Sequence, residues 1–213
     1  MNDELHPASA EATGAPDEAA RARFLALAQA RPAHSCHLYG VIDAAIDDSL
    51  YPQIQAEPSF SDVRCLYDGE PAIRYATYAP YLLSISLESP LCARWLDGGW
   101  SGHWGIFIAS LLPADKVKRH LKKLVQVTTP QGQKAWMRFY DPRVLPKLLS
   151  MADPAHAQEF FSSTVQAYLL PGSQPDQLLR ITFDQPQWVD RLSRTDRAVI
   201  ETLTIRQPLA STT

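Results

Sequence analysis

The sequence predicts an α/β fold in which a mixed sheet flanked by helices is followed by a smaller, mostly helical C-terminal lobe. Short apolar runs typical of buried strands alternate with segments of helical periodicity. Ser-Pro and Asp-Pro pairs punctuate them, and these favour helix starts because Ser and Asp cap a helix whose first turn tolerates Pro. The 213 residues, 46% of them hydrophobic, are enough to bury such a core.

The elements of the first half follow from local pattern. A helix is expected from Pro16 to Arg31, because acids suit its first turn and Pro32 ends it. The apolar run 37–42, which ends at Asp43, predicts a strand. The same reasoning predicts strands at 63–67, 81–86 and 103–109, helices at 49–57 and 90–96, and a loop at 100–102. A helix that opens at Pro113 carries apolar residues at positions 117, 121 and 124, spaced i, i+4 and i+7.

The second half is predicted to start with a hairpin of strands 124–128 and 134–140 around the turn 129–132. Asp141-Pro142 and Asp153-Pro154 then predict two helix starts. Strands follow at 165–170 and 178–183, separated by a Pro-Gly-Ser loop, and a last helix is expected from about Gln187 to Thr204.

Composition divides the chain into three parts. Residues 1–15 contain three acids and no Lys or Arg, among small residues and Pro, which predicts a disordered acidic tail. Residues 16–140 are expected to form the α/β lobe, and residues 141–213 the smaller lobe with helices and a hairpin.

Charge and hydropathy exclude several classes of function. A net charge of −3 disfavours nucleic acid and anionic membranes as partners. The longest apolar stretch, 104–112, is far below the ~20 residues of a membrane helix, and the N-terminus has no secretory signal pattern. The cysteines Cys36, Cys65 and Cys92 are widely spaced and fit buried positions in a reducing compartment. We therefore expect a cytoplasmic protein.

Motifs for catalysis, metals and cofactors are absent from the sequence. It has no phosphate-binding glycine loop, no nucleophile elbow and no histidine spacing of a zinc site, so we expect no cofactor and no catalytic or metal-binding residues. The strongest alternative is a small hydrolase or ligand-binding α/β domain that uses strand-end carboxylates, because Asp43, Asp68 and Asp141 each fall at the end of a predicted strand.

A basic helix offers a possible docking surface. Its cations are Lys116, Lys118, Arg119, Lys122 and Lys123. Such a run is usually a solvated face, and its sharper interpretation is a surface that docks an acidic protein segment, with Lys116, Arg119 and Lys123 as candidate contacts.

The segment Arg138-Phe139-Tyr140-Asp141-Pro142-Arg143-Val144 is the most informative stretch. It predicts a strand that stops, a capping Asp141, Pro142 in the first helical turn, and a corner that Arg138 and Arg143 fix by pairing with Asp141. Pro146 would then kink the helix in mid-course. We interpret the whole motif as structural.

This segment resembles the signature of the type VI secretion effector adaptor-chaperones, and further blocks between Leu38 and Leu170 agree with that family in order. They are Tyr39–Ala44, Cys65–Gly69, Ala79–Leu82, Trp95-Leu96 with Gly99-Trp100, Trp104–Phe107 with Ser110, His120-Leu121, Val125–Val127 and Gly132. The resemblance implies a non-enzymatic protein that binds one effector toxin and helps load it onto the VgrG spike.

The resemblance assigns no contact residues. Large aromatics that fit no clear core face are candidates for partner binding, although their ordinary location is the core. They are Trp100, Trp136, Tyr140 and Trp188. The oligomeric state is not predicted.

Overall fold

The fold is built on one antiparallel sheet. The computed structural model describes residues 17–58, 62–128, 131–184 and 197–205. The strands are β1 (His37–Asp43), β2 (Arg64–Cys65), β3 (Pro80–Ser84), β4 (Gly105–Ser110), β5 (Gln126–Thr128), β6 (Lys134–Trp136), β7 (Ala167–Pro171), β8 (Gln177–Asp184) and β9 (Arg197–Thr204). Among the described residues, β2-β3-β1-β4-β7-β8-β9 form a seven-stranded sheet in that order, and β5-β6 form a separate hairpin.

Helices connect the strands. They are α1 (Glu18–Ala30), α2 (Leu50–Ala56), α3 (Glu70–Arg74), α4 (Pro90–Leu96), α5 (Gly98–Ser101), α6 (Ala114–Leu121), α7 (Leu145–Met151) and α8 (Pro154–Phe161). Short 3-10 turns follow β1 at Ala44–Ile46 and α3 at Ala76–Tyr78.

Both faces of the sheet are covered, because consecutive residues of β1, β4 and β7, which point to opposite faces, are buried. On one face, Gly40 of β1 leaves room for Trp95 of α4, which stacks on Phe107 of β4 with ring centroids 4.6 Å apart. On the other face, the Tyr39 hydroxyl donates to the Leu112 carbonyl before α6 at 3.0 Å. The Tyr168 hydroxyl of β7 donates on that same face to the Phe160 carbonyl of α8 at 2.6 Å.

Several local predictions are confirmed. Ser89 accepts from the Cys92 amide and Asp153 from the His156 amide, so both capped helices start where the Ser-Pro and Asp-Pro pairs place them. Helix α1 begins after Asp17 and ends before Pro32, and β1 ends at Asp43. The α/β class is confirmed, and β7 and β8 form the expected hairpin.

The C-terminal third differs from its prediction. Residues 197–204, expected in a helix, form β9 because they pair along their whole length with β8, from Gln177↔Thr204 to Asp184↔Arg197. The described strand pairs are all antiparallel rather than mixed. The sheet also continues past the predicted lobe boundary between residues 140 and 141, because β7, β8 and β9 extend the sheet that β1 to β4 form. The described part of the second lobe is therefore not mostly helical. The predicted acidic tail and residues 187–196 lie outside the described residues.

Two shorter segments also differ. Gly98–Ser101 forms α5 instead of starting a loop, with the Gly102 amide donating to the Gly98 carbonyl. The second strand of the hairpin ends at Trp136 rather than at residue 140, because the chain then turns inward and buries both Phe139 and Tyr140.

Candidate functional site

The candidate site starts at the end of β1, where Asp43 is a buried carboxylate. Its side chain is only 1% exposed. One oxygen, Oδ1, accepts from the Ala45 amide at 3.1 Å and so caps the 3-10 turn that follows. The other, Oδ2, accepts from Arg138 Nε at 3.0 Å and from Arg138 Nη2. A pair of residues 95 positions apart therefore joins the centre of the sheet to the segment after β6.

The expected capped corner at Asp141 is only partly confirmed. Asp141 pairs with Arg143, whose backbone amide lies 2.9 Å and whose Nη2 lies 2.6 Å from the carboxylate, whereas Arg138 turns to Asp43 instead. Because the Asp141 carboxylate is used in this tight loop, it does not cap a helix. Helix α7 begins at Leu145, so Pro146 stands in its first turn, where proline is tolerated, and no mid-helix kink arises.

Phe139 and Tyr140 anchor the same segment in the core. The Phe139 ring meets the Tyr140 ring edge-on at 5.5 Å and the Phe160 ring of α8 at 6.4 Å. The edge-on geometry is one that aromatic pairs favour. The segment is thus held by buried rings on one side and by the Asp43–Arg138 ion pair on the other.

An open cleft of about 350 Å³ lies over this ion pair, and we name it the aromatic cleft. It is lined by Asp43, Ala45, Tyr67, Tyr75, Tyr78, Trp136, Arg138 and Tyr140. Three of its rings reach solvent: Tyr78 is 57%, Trp136 45% and Tyr75 39% exposed. The Trp136 ring rests on Tyr67 with centroids 4.4 Å apart. The cleft therefore presents fixed aromatic surface around a charged floor.

The floor of the aromatic cleft is electrostatically unusual. Burial raises the pKa of Asp43 above its ordinary value, and the hydrogen bonds and positive charge of Arg138 offset part of that effect. Burial, together with the charge of Asp43, also raises the pKa of Tyr140 above its ordinary value. Asp141 differs: burial alone would raise its pKa, but the hydrogen bonds and charge of Arg143 outweigh it and the pKa lies below the ordinary value.

The aromatic residues proposed from the sequence as partner contacts lie in different environments in the structure. Trp136 and Tyr140 both line the aromatic cleft, although Tyr140 is buried. Trp100 is only 1% exposed, 5.8 Å from Phe107 and below the Arg23 guanidinium, so it lies in the core, the ordinary location of a large aromatic residue. Trp188 lies outside the described residues.

Sequence reasoning did not identify Tyr67, Tyr75 and Tyr78 as parts of this site. The sequence feature that could have indicated them is the run of closely spaced tyrosines at positions 75, 78 and 81 near the start of an apolar strand. Tyr81 belongs to β3 and is buried, whereas Tyr75 and Tyr78 lie at the ends of the 3-10 turn and face the cleft.

The cations of α6 divide into two sets. Lys118 and Lys122 bind Asp68 at 3.1 and 2.6 Å. Lys116, Arg119 and Lys123 instead line a second cleft of about 430 Å³ together with Leu112, His120, Leu124, Glu159, Ser162 and Thr164, and we name it the basic cleft.

The strand-end carboxylates do not converge on a free acid pair. Asp43 binds Arg138, Asp68 binds Lys118 and Lys122, and Asp141 binds Arg143. Within the described ranges, no three His, Cys, Asp or Glu side chains are grouped closely enough to hold a metal ion.

Comparison with known proteins identifies the family. Among the described residues, no helix has the length and apolar character needed to cross a membrane. A search of curated proteins and a search of solved structures gave no match. A family model described as "Domain of unknown function (DUF4123)" matches residues 38–159, more than half of the chain. The match begins within β1, ends within α8 and includes the whole Arg138–Val144 segment. The chain therefore belongs to the DUF4123 family, known as the effector-loading adaptor domain of type VI secretion systems.

Proposed function

We propose that this chain is a cytoplasmic adaptor-chaperone that binds one type VI secretion effector and helps load it onto the VgrG spike. We assign the effector contact to the aromatic cleft. The observation that carries this assignment is that exposed rings from two separate parts of the chain, α3 with its 3-10 turn and β6, surround the Arg138 of the family's own motif.

An aromatic side chain exposed to water has an unfavourable hydration free energy, which is recovered as binding free energy when a partner buries the ring. Burying the exposed part of Trp136 is worth on the order of 2 kcal/mol at about 25 cal/mol per Å². Trp and Tyr are also the residues that most often dominate binding energy at protein interfaces. Because Trp136 already packs against the Tyr67 ring, little side-chain entropy is lost when a partner binds.

Arg138 supplies the polar part of the contact. Arginine carries five side-chain N–H donors, and among the described residues the side-chain hydrogen bonds of Arg138 all go to Asp43. Its side chain is 46% exposed, so donors remain available to a main-chain carbonyl of the effector segment. Asp43 holds the guanidinium in place and thereby orients those donors.

The proposed role includes no catalysis. What supports this is that Asp43, the acid inside the cleft, has both oxygens occupied, by the Ala45 amide and by Arg138. A general base needs a carboxylate oxygen within reach of a substrate proton. Asp68 and Asp141 are each committed to their own cations.

Co-purification with a type VI secretion effector tests the assignment. The wild-type protein should capture the effector in mild salt, and the double variant Tyr78→Ala/Trp136→Ala should lose at least tenfold of that capture while keeping its thermal stability. The matched control is Leu25→Ala/Met151→Ala, which removes exposed apolar side chains elsewhere and should capture normally. Equal capture by both variants would exclude the cleft, and no capture by the wild type would exclude the function.

Loading onto the spike needs a second assay. Immobilised VgrG should retain the effector only when the adaptor is added, and retention in its absence would contradict the proposed role.

A further inference from the structure

Helix α6 presents three distinct faces. Val117 and Leu121 are buried beneath the helix, on the side that packs against the sheet. Lys118 and Lys122, one helical turn apart, bind Asp68. The third face carries Lys116, Arg119 and, just past the end of the helix, Lys123, at the i, i+3 and i+7 spacing that places side chains on one side.

The third face is one wall of the basic cleft. Leu112 and Leu124 contribute apolar surface, and Ser162 and Thr164 from the chain after α8 form the opposite side. The two sides are joined by His120, whose Nε2 donates to the Phe160 carbonyl at 2.8 Å. The cleft is therefore formed by two elements whose separation is set by a hydrogen bond.

The cations of the basic cleft lack acid partners. Within the ranges that the structure describes, Lys116, Arg119 and Lys123 form no ion pair, while Lys118, Lys122 and Arg64 on or beside the same helix all do. The chain as a whole has an excess of acids, with a net charge of −3. A concave surface with several like charges repels itself and attracts an anionic ligand.

We infer that the basic cleft is a second docking site, which binds an acidic segment of a protein partner. Charge complementarity selects the sign of the ligand. The apolar surface of Leu112 and Leu124 fits aliphatic side chains between the carboxylates. Nucleic acid fits poorly, because no Phe, Tyr or Trp lines the cleft for base stacking.

The two clefts are separate, and no residue lines both of them. Asp68, which Lys118 and Lys122 hold, directly follows Tyr67 of the aromatic cleft, whereas Lys116, Arg119 and Lys123 point away from it. An adaptor must hold two partners at once, and two clefts that share no lining residue permit this. The simultaneous binding of two partners rests on the proposed function, whereas the acidic-segment site does not.

Peptide binding to the purified full-length chain tests the inference. The probe is a fluorescent twelve-residue peptide of alternating Glu and Leu, followed by anisotropy in low and moderate salt. The variant Lys116→Gln/Arg119→Gln/Lys123→Gln should bind at least tenfold more weakly. Its control, Arg21→Gln/Lys134→Gln/Lys147→Gln, lowers the net charge equally with exposed residues elsewhere and should bind like the wild type. Equal weakening of both variants would overturn the inference, since it would show only a general charge effect.

Two further binding measurements test which class of ligand the basic cleft takes and whether the two clefts are independent sites. A Gln-Leu peptide and a single-stranded oligonucleotide of equal charge should bind at least tenfold more weakly than the acidic peptide, and equal or tighter oligonucleotide binding would overturn the protein assignment. The Tyr78→Ala/Trp136→Ala variant should keep full peptide affinity, whereas its loss would show that the clefts are one site. If effector capture fails while these peptide results hold, the proposed function falls and the acidic-segment site stands.

Discussion

Replacing Arg138 with Met should destabilise the protein by an amount that depends on pH. Asp43 is 1% exposed, and the variant would remove both hydrogen bonds to its Oδ2 together with the only cation that contacts it among the described residues. Removing one partner of a fully buried ion pair costs about 3–5 kcal/mol. Because the Arg138 side chain is 46% exposed, water can reach the vacated place, and we expect about 2 kcal/mol at pH 7.

The sign of the pH dependence follows from the pKa of Asp43. Burial already raises this pKa, and without Arg138 the folded-state pKa rises further above the unfolded one. The folded variant then binds its proton more tightly than the unfolded chain does, so its stability recovers as the pH falls towards the folded-state pKa. The penalty relative to wild type should therefore be clearly smaller at pH 5 than at pH 7.

Urea unfolding followed by tryptophan fluorescence at both pH values measures this difference. Asp43→Asn combined with Arg138→Met should be more stable than Arg138→Met alone at pH 7, because a neutral amide leaves no unpaired charge. The control Arg180→Met breaks a pair whose Glu201 side chain is 44% exposed and should cost less than about 0.5 kcal/mol. A cost below about 0.5 kcal/mol for Arg138→Met, or one unchanged between the two pH values, would refute the argument.

Two more predictions concern the core and the α6–α8 contact. Trp100→Ala should cost about 3–5 kcal/mol in urea unfolding, because it empties a buried site, whereas Trp136→Ala should cost less than about 1 kcal/mol; equal costs would contradict their different burial. Burial lowers the pKa of His120 in the folded state, so the stability that the neutral imidazole contributes is lost as the pH falls below about 6.5. His120→Gln should therefore flatten the decline in the free energy of unfolding that urea titration measures between pH 7.5 and 5.5. The exposed His156, whose pKa Asp153 raises, acts in the opposite direction and is unchanged in both proteins. An unaltered slope in His120→Gln would assign the decline to other groups.

Local chemistry was enough to predict those elements whose signals lie within a few residues. Ser89 and Asp153 start helices because the cap, the following proline and the amide that the cap accepts are all neighbours in sequence. Strand β1 follows in the same way from one apolar run. Asp141-Pro142 has the same signature, but the helix that it predicts does not start there. The Asp141 carboxylate binds Arg143 instead, and α7 starts only at Leu145.

Strand β9 was mistaken for a helix for a different reason. Its β-branched residues Val199, Ile200, Thr202 and Thr204 favour a strand, but pairing with β8 is what decides it. Propensity is a weak signal next to a continuous ladder of hydrogen bonds, and that ladder depends on residues far away in the sequence.

The sequence by itself determined the family, the α/β class and the positions of the locally capped helices, because these depend on composition, order and neighbouring residues. The contact of Arg138 with Asp43 could not be predicted from the sequence, since no local rule connects two residues 95 positions apart. Only the tertiary structure decided which aromatics are core and which reach solvent, as the contrast of Trp100 with Trp136 shows. It also separated the cations of α6 into those bound to Asp68 and those lining the basic cleft, because ion pairing depends on distances that only the folded chain sets.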